Sequence, residues 1–85
     1  MNDSTTNRVT SLLAAYWLRN PAACDTPEGI HRWWMNGRPD VSVGNVEEAL
    51  IAMIGKGLVE RRVTGERSIY RLRAGGHRDA LEALA

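Results

Sequence analysis

Seven basic side chains (Lys56, Arg61, Arg62, Arg67, Arg71, Arg73 and Arg78) lie between residues 56 and 78, opposed there only by Glu60 and Glu66. The rest of the chain carries four basic and eight acidic residues, so a local charge of +5 sits beside a remainder of −4. Guanidinium groups at that density suit anions, phosphate oxygens above all; the plainer alternative is a solvated ribbon. Covalent and acid–base chemistry find no comparable support. His31 and His77 stand apart, and no Ser/His/Asp set or carboxylate pair occurs at a recognisable spacing. Cys24, Asp25 and His31 match no common metal-ligand spacing, and a lone cysteine permits neither an internal disulfide nor a thiolate cluster. Phosphate-loop and dinucleotide patterns are missing as well. The expectation is a non-enzyme with no metal and no cofactor.

Eighty-five residues allow one domain with a small core, and 44% hydrophobic with 25% charged residues is an ordinary globular balance. No apolar run approaches the roughly 20 residues that span a bilayer, and Met1 to Arg8 is polar, unlike a secretory signal. A soluble cytoplasmic protein without a membrane partner is therefore expected. The periodicity divides the chain into a polar tail over 1–8, a domain over 9–74 and a short C-terminal helix or tail over 75–85.

The elements that must position the basic residues follow from apolar spacing. Val9, Leu12, Leu13, Tyr16 and Trp17 form one helical stripe, with Ser4, Thr5 and Thr6 as capping candidates and Pro21 as the stop. "TPEGIHRWWMNG" predicts a short second helix, capped by Thr26, begun by Pro27 and halted by Asn36 and Gly37. Ile30, Trp33 and Trp34 share its inward side, with Trp33 turned fully in and Trp34 partly covered. "SVGNVEEALIAMIGKG" predicts a third helix, capped by Ser42 and ended by a left-handed Gly57, with Val43, Val46, Leu50, Met53 and Ile54 inward. "LVERRV" and "SIYRL" then read as antiparallel strands hinged on Gly65, with Leu58, Tyr70 and Leu72 inward. "HRDALEALA" closes the chain as a short helix carrying Leu81 and Leu84. The fold class is α+β.

In "VEEALIAMIGKGLVERRVTGERSIYRL" a helix ends in glycine, "GLVERR" leads into a hinge and "YRL" returns to the core; this resembles the winged helix-turn-helix superfamily. "YRLRAGGHRDALEALA" resembles the stretch after the wing in PadR-like and MarR-like bacterial regulators, where a helix often dimerises. The resemblance implies a three-helix core, a two-stranded wing and a short C-terminal helix. It also implies double-stranded DNA as partner, transcriptional regulation as function and a possible homodimer. Carried onto this sequence, it makes Ser42, Gly44, Asn45 and Glu48 groove-facing positions, with Asn45 the best base reader because an amide offers adenine a donor and an acceptor together. Arg61, Arg62 and Arg67 become phosphate contacts from the wing, and Arg38 and Lys56 flanking ones.

Stepping about 100° per residue from the core stripe puts Gly44, Glu48, Ala52 and Gly55 outermost on the third helix, with Ile51 and Asn45 on the flanks. That face is small, partly apolar and anionic, and better suited to another protein than to phosphate. The alternative is thus a winged-helix protein-interaction module using Ile51, Ala52 and Trp34, the last as an aromatic anchor.

Overall fold

The computed structural model describes residues 3–75 and 77–85. Its elements run α1 (Asp3–Arg19), β1 (Cys24–Asp25), α2 (Pro27–Gly29) continuing as a π-helical turn (Ile30–Trp34), α3 (Val43–Gly55), β2 (Val59–Thr64), β3 (Arg67–Leu72) and α4 (Arg78–Leu84). The α+β class is as expected, but the sheet has three antiparallel strands, in the order β1-β3-β2, where a two-stranded hairpin was predicted. β1 is only two residues, Cys24 opposite Arg71 and Asp25 opposite Tyr70, too short for any alternation to announce it. Its carboxylate also fixes the next element. Asp25 Oδ1 accepts from the Thr26 N–H at 2.8 Å, and a Cβ on Gly29 would fall on that carboxylate. Gly29 is therefore needed for close approach, since its φ of −65° is ordinary.

α1 begins at Asp3, so residues 3–8 belong to a helix and not to a polar tail; Met1 and Asn2 lie outside the described residues. Thr5 and Thr6 fall inside that helix, and neither caps it. Thr10 Oγ1 bonds the Thr6 carbonyl at 2.9 Å, the local back-bond that lets a buried threonine satisfy its hydroxyl. Val9, Leu13, Ala14 and Trp17 are fully buried, and the Trp17 Nε1–H donates to the Ala23 carbonyl at 2.9 Å.

The second helix departs most from expectation. After three α-helical residues the winding loosens, and the Met35 N–H reaches the Ile30 carbonyl five residues back, at 3.2 Å. A π-helix advances about 80° per residue, so three steps carry Trp33 roughly 120° from Ile30, while a fourth returns Trp34 to within about 40°. Trp33 is 67% exposed as a result, the reverse of the inward position its spacing predicts. Trp34 takes the inward place. It stacks on Tyr16 (centroids 4.3 Å apart, planes 10° apart) and meets Trp17 edge-on at 5.0 Å.

α3 follows its sequence signals at both ends. Ser42 Oγ accepts from the Asn45 N–H at 3.0 Å, and Asn45 Oδ1 accepts from the Ser42 N–H at 2.9 Å, a reciprocal cap. At the other end Gly57 (φ +75°) donates to the Ile54 carbonyl and Leu58 to that of Met53, the paired bonds of a Schellman stop. Val46, Ala49, Leu50 and Met53 are fully buried; Val43 is half-buried, and Ile54 is exposed where burial was predicted. The turn into α3 is held by His31, whose Nε2 faces the carbonyls of Val41 (2.6 Å) and Arg38 (3.0 Å). Both partners are acceptors, so Nε2 carries the proton.

Gly65 (φ +63°) opens the two-residue hairpin turn, and no non-glycine there has positive φ, the pattern of a type II′ turn. Leu58 and Tyr70 are buried and Leu72 half-buried, as their spacing predicts. α4 packs along α1, with Leu81 buried and Leu84 against the core. Its leucines complete the domain's own interior.

Candidate interaction surface

The side chains expected to read a groove are largely occupied. Ser42 and Asn45 cap each other, so the Asn45 carbonyl oxygen is held by the backbone of its own helix and the donor–acceptor pair that adenine would need is broken. Glu48, one of the outermost positions by helical stepping, accepts from the Thr6 hydroxyl of α1 at 3.1 Å. Arg38 grips Asp40 through Nε (3.2 Å) and a terminal nitrogen (3.1 Å), and Arg8 reaches the same carboxylate at 3.3 Å. The Arg38 guanidinium holds the Asp40 carboxyl below its ordinary value.

What α3 leaves exposed is apolar and acidic. Ile51 is 65% exposed, Ala52 and Gly55 are exposed, and Glu47, Ile51 and Ile54 form a row at spacings of four and three along one flank. Beside that row, Glu47 and Arg61 line a common recess of about 550 Å³ with Pro27, Glu28 and Arg67, so the hairpin's inner face and α3 share a cleft. Register places Val59, Arg61 and Val63 on the core-facing side of β2, with Tyr70 opposite Arg61. The hairpin outruns the core there, and Val63 is 62% exposed. Lys56, at the C-cap of α3, is exposed as well.

The other side of the sheet is basic. Glu60, Arg62 and Arg71 alternate onto it, and Cys24 of β1 joins them opposite Arg71; Arg67 shares their register but, at the turn, lines the recess on the α3 side. Arg71 Nε meets Glu60 Oε2 at 2.6 Å, with Arg62 at 4.0 Å from the same oxygen. The hydrogen bond from Arg71 is the first cause that holds the Glu60 carboxyl below its ordinary 4.5. A folded-state value below the unfolded one makes the pair's stabilisation complete above the unfolded value and lost as pH falls through the folded one. Acidification below about pH 4.5 should therefore loosen the hairpin. Glu60→Gln should lose part of that acid dependence. Urea midpoints of both proteins from pH 3 to 7 check this, and parallel profiles would remove Glu60 as a contributor.

Of the residues expected at a partner surface, Ile51 and Ala52 stand in the open, whereas Trp34 is built into the Tyr16–Trp17 cluster. Trp33 holds the exposed place instead, with the Arg32 guanidinium 5.0 Å above its ring. The spacing predicts Trp33 and Ile54 inward and gives Val63, Arg71 and Arg73 no place in the site, yet all five are exposed. The Arg71–Glu60 pair was within reach: with a two-residue turn, four steps back from Thr64 and four on from Arg67 set Glu60 opposite Arg71.

Among the described residues no helix is long and apolar enough to cross a membrane. Compared with family models, with curated proteins and with solved structures, the chain finds no match.

Proposed function

We propose that the chain is a winged-helix interaction module that docks a protein through α3 and the inner face of the β2–β3 hairpin. The element order, with a short strand between the first two helices and a hairpin after the third, supports the winged-helix assignment. The exposure of Ile51 at 65%, in a row with Ile54 and Glu47, carries the functional reading. Aliphatic side chains of that size in the open are of no use against phosphate and are well suited to a dry interface core. Glu47 begins the row and Glu48 lies beside it, so the complementary partner offers an apolar segment bordered by lysine or arginine. A second copy of this face would set those glutamates against one another, which favours a different protein as partner. The exposed lone thiol of Cys24 fits a reducing compartment, and we place the module in the cytoplasm.

A photo-crosslinking amino acid at position 51, activated in the cells that make the protein, tests the reading. The expected product is one discrete protein adduct that disappears when Ile54 is also changed to Glu. Adducts to nucleic acid, or none, would count against it.

Duplex DNA is the second reading, favoured by the basic hairpin. Arg61, Arg62 and Arg67 are all exposed and would act as phosphate contacts. It requires affinity to fall steeply with salt and to drop when all three are changed to Ala.

A further inference from the structure

The basic side of the sheet borders a groove that the protein-docking reading does not use and that shares only Arg62 with the DNA reading. It runs between the C-terminal end of α1, the outer side of the hairpin and the start of α4, and encloses about 670 Å³. That volume lies within the roughly 300 to 1,000 Å³ usual for small-ligand sites. Trp17, Leu18, Pro21 and Leu81 supply an apolar wall. Arg62, Arg71 and Arg73 supply three guanidinium groups, with Glu60 the acid among them. Arg78 also lines the groove but is paired with Glu82 at 3.3 Å.

We propose that this groove binds a small organic anion with an apolar body, such as an aryl carboxylate. The apolar wall would cover the ring and the arginines would take the carboxylate.

Two observations join the charge pattern. First, the groove already holds a carboxylate: Glu60 Oε2 sits 2.6 Å from Arg71 Nε. That internal pair has the chemistry a ligand would reproduce, and a ligand carboxylate competes with Glu60 for the same guanidinium. Second, His77 lines the groove, and its Nε2 is, among the described residues, the buried side-chain nitrogen that has no hydrogen-bond partner. That nitrogen is covered, so a ligand would meet it only after a turn of the imidazole, and the unmet bond is a reason for the ring to turn. Because Glu60 and Arg71 are cross-strand neighbours, exchange of one carboxylate for another alters the ion pairing across β2 and β3. Occupancy of the groove is thereby felt in the hairpin.

The test uses sodium 2-naphthoate as probe, followed by amide chemical shifts of the whole chain. Saturable shifts are expected at Leu18, Ala22, Arg71, Arg73 and Leu81. The neutral analogue 2-naphthalenemethanol should bind roughly tenfold more weakly, the loss typical of a missing charge-assisted hydrogen bond. Inorganic phosphate should also bind more weakly than naphthoate, since it gains nothing from the apolar wall. Arg71→Gln should weaken naphthoate about tenfold on the same grounds, whereas Ile51→Glu should leave it unchanged. Glu60→Gln should tighten binding by removing the internal competitor, a gain that misfolding cannot produce. Equal binding of acid and alcohol, shifts centred on α3, phosphate matching naphthoate, or weaker binding to Glu60→Gln would each overturn the proposal.

Discussion

Trp17→Ala is expected to cost the fold about 3 to 5 kcal/mol, the largest loss among the tryptophan truncations. The indole is fully buried, packs edge-on to Trp34 at 5.0 Å and donates to the Ala23 carbonyl at 2.9 Å. Truncating a buried tryptophan costs about 3 to 5 kcal/mol. An 85-residue domain holds roughly 4 to 13 kcal/mol in total at usual per-residue stabilities, so the loss is comparable with the whole of a low value. The effect also spreads along the chain. The lost hydrogen bond frees the Ala23 carbonyl, one residue before β1, and the vacated volume lies under the stacked pair of Tyr16 and Trp34. Trp17→Phe keeps a six-membered ring in place but removes the donor and part of the indole's volume, so it should cost about 1 to 3 kcal/mol, less than the alanine variant. Urea unfolding followed by far-ultraviolet circular dichroism checks both. A cost below about 1.5 kcal/mol for the alanine variant would show that the ring is not the centre of this core.

The adjacent tryptophans of the second helix should differ sharply. Trp34→Ala removes a ring stacked on Tyr16 and in contact with Trp17, and should cost about 2 to 4 kcal/mol. Trp33→Ala removes a ring that is 67% exposed and lies beneath the Arg32 guanidinium, and should fall within about 0.5 kcal/mol of the parent protein. The contrast depends on the π-helical turn. An α-helical turn would carry Trp33 to within about 60° of Ile30, and the two alanine variants would then converge. Equal urea midpoints for the pair would therefore contradict the winding, and a cost greater at Trp33 would reverse it.

These cases mark where the sequence is informative and where it is silent. α3 is legible at both ends because each boundary is a local chemical act: a hydroxyl meeting an N–H three residues on, and a glycine taking a positive φ. Gly65 marks the hairpin for the same reason. The winding of Ile30–Trp34 is not local. It answers to Tyr16 and Trp17, which offer a ring-sized place that only Trp34 fills, and regular 100° stepping cannot anticipate it. β1 is two residues long and exists because β3 offers it partners far along the chain, Cys24 against Arg71. At the surface, residue types were visible and their commitments were not. Asn45 looks like a base reader until its amide is seen closing the cap, and Glu48 looks free until Thr6 is placed beside it. Ile51 and Ala52 could be placed outside because helical phase alone puts them there.

The sheet order leaves β2 at the border, and from Arg61 to Thr64 it stands in the open with backbone groups facing away from β3. Such a border invites a strand from another molecule, and cross-β stacking begins with pairings of that kind. Here it is written Val-Glu-Arg-Arg-Val-Thr, with three consecutive charges at its centre. Stacking identical copies in register would bring each arginine against its own image at about 4.8 Å. Glu60, Arg61 and Arg62 thus act as gatekeepers against polymerisation, whatever partner the neighbouring surfaces engage.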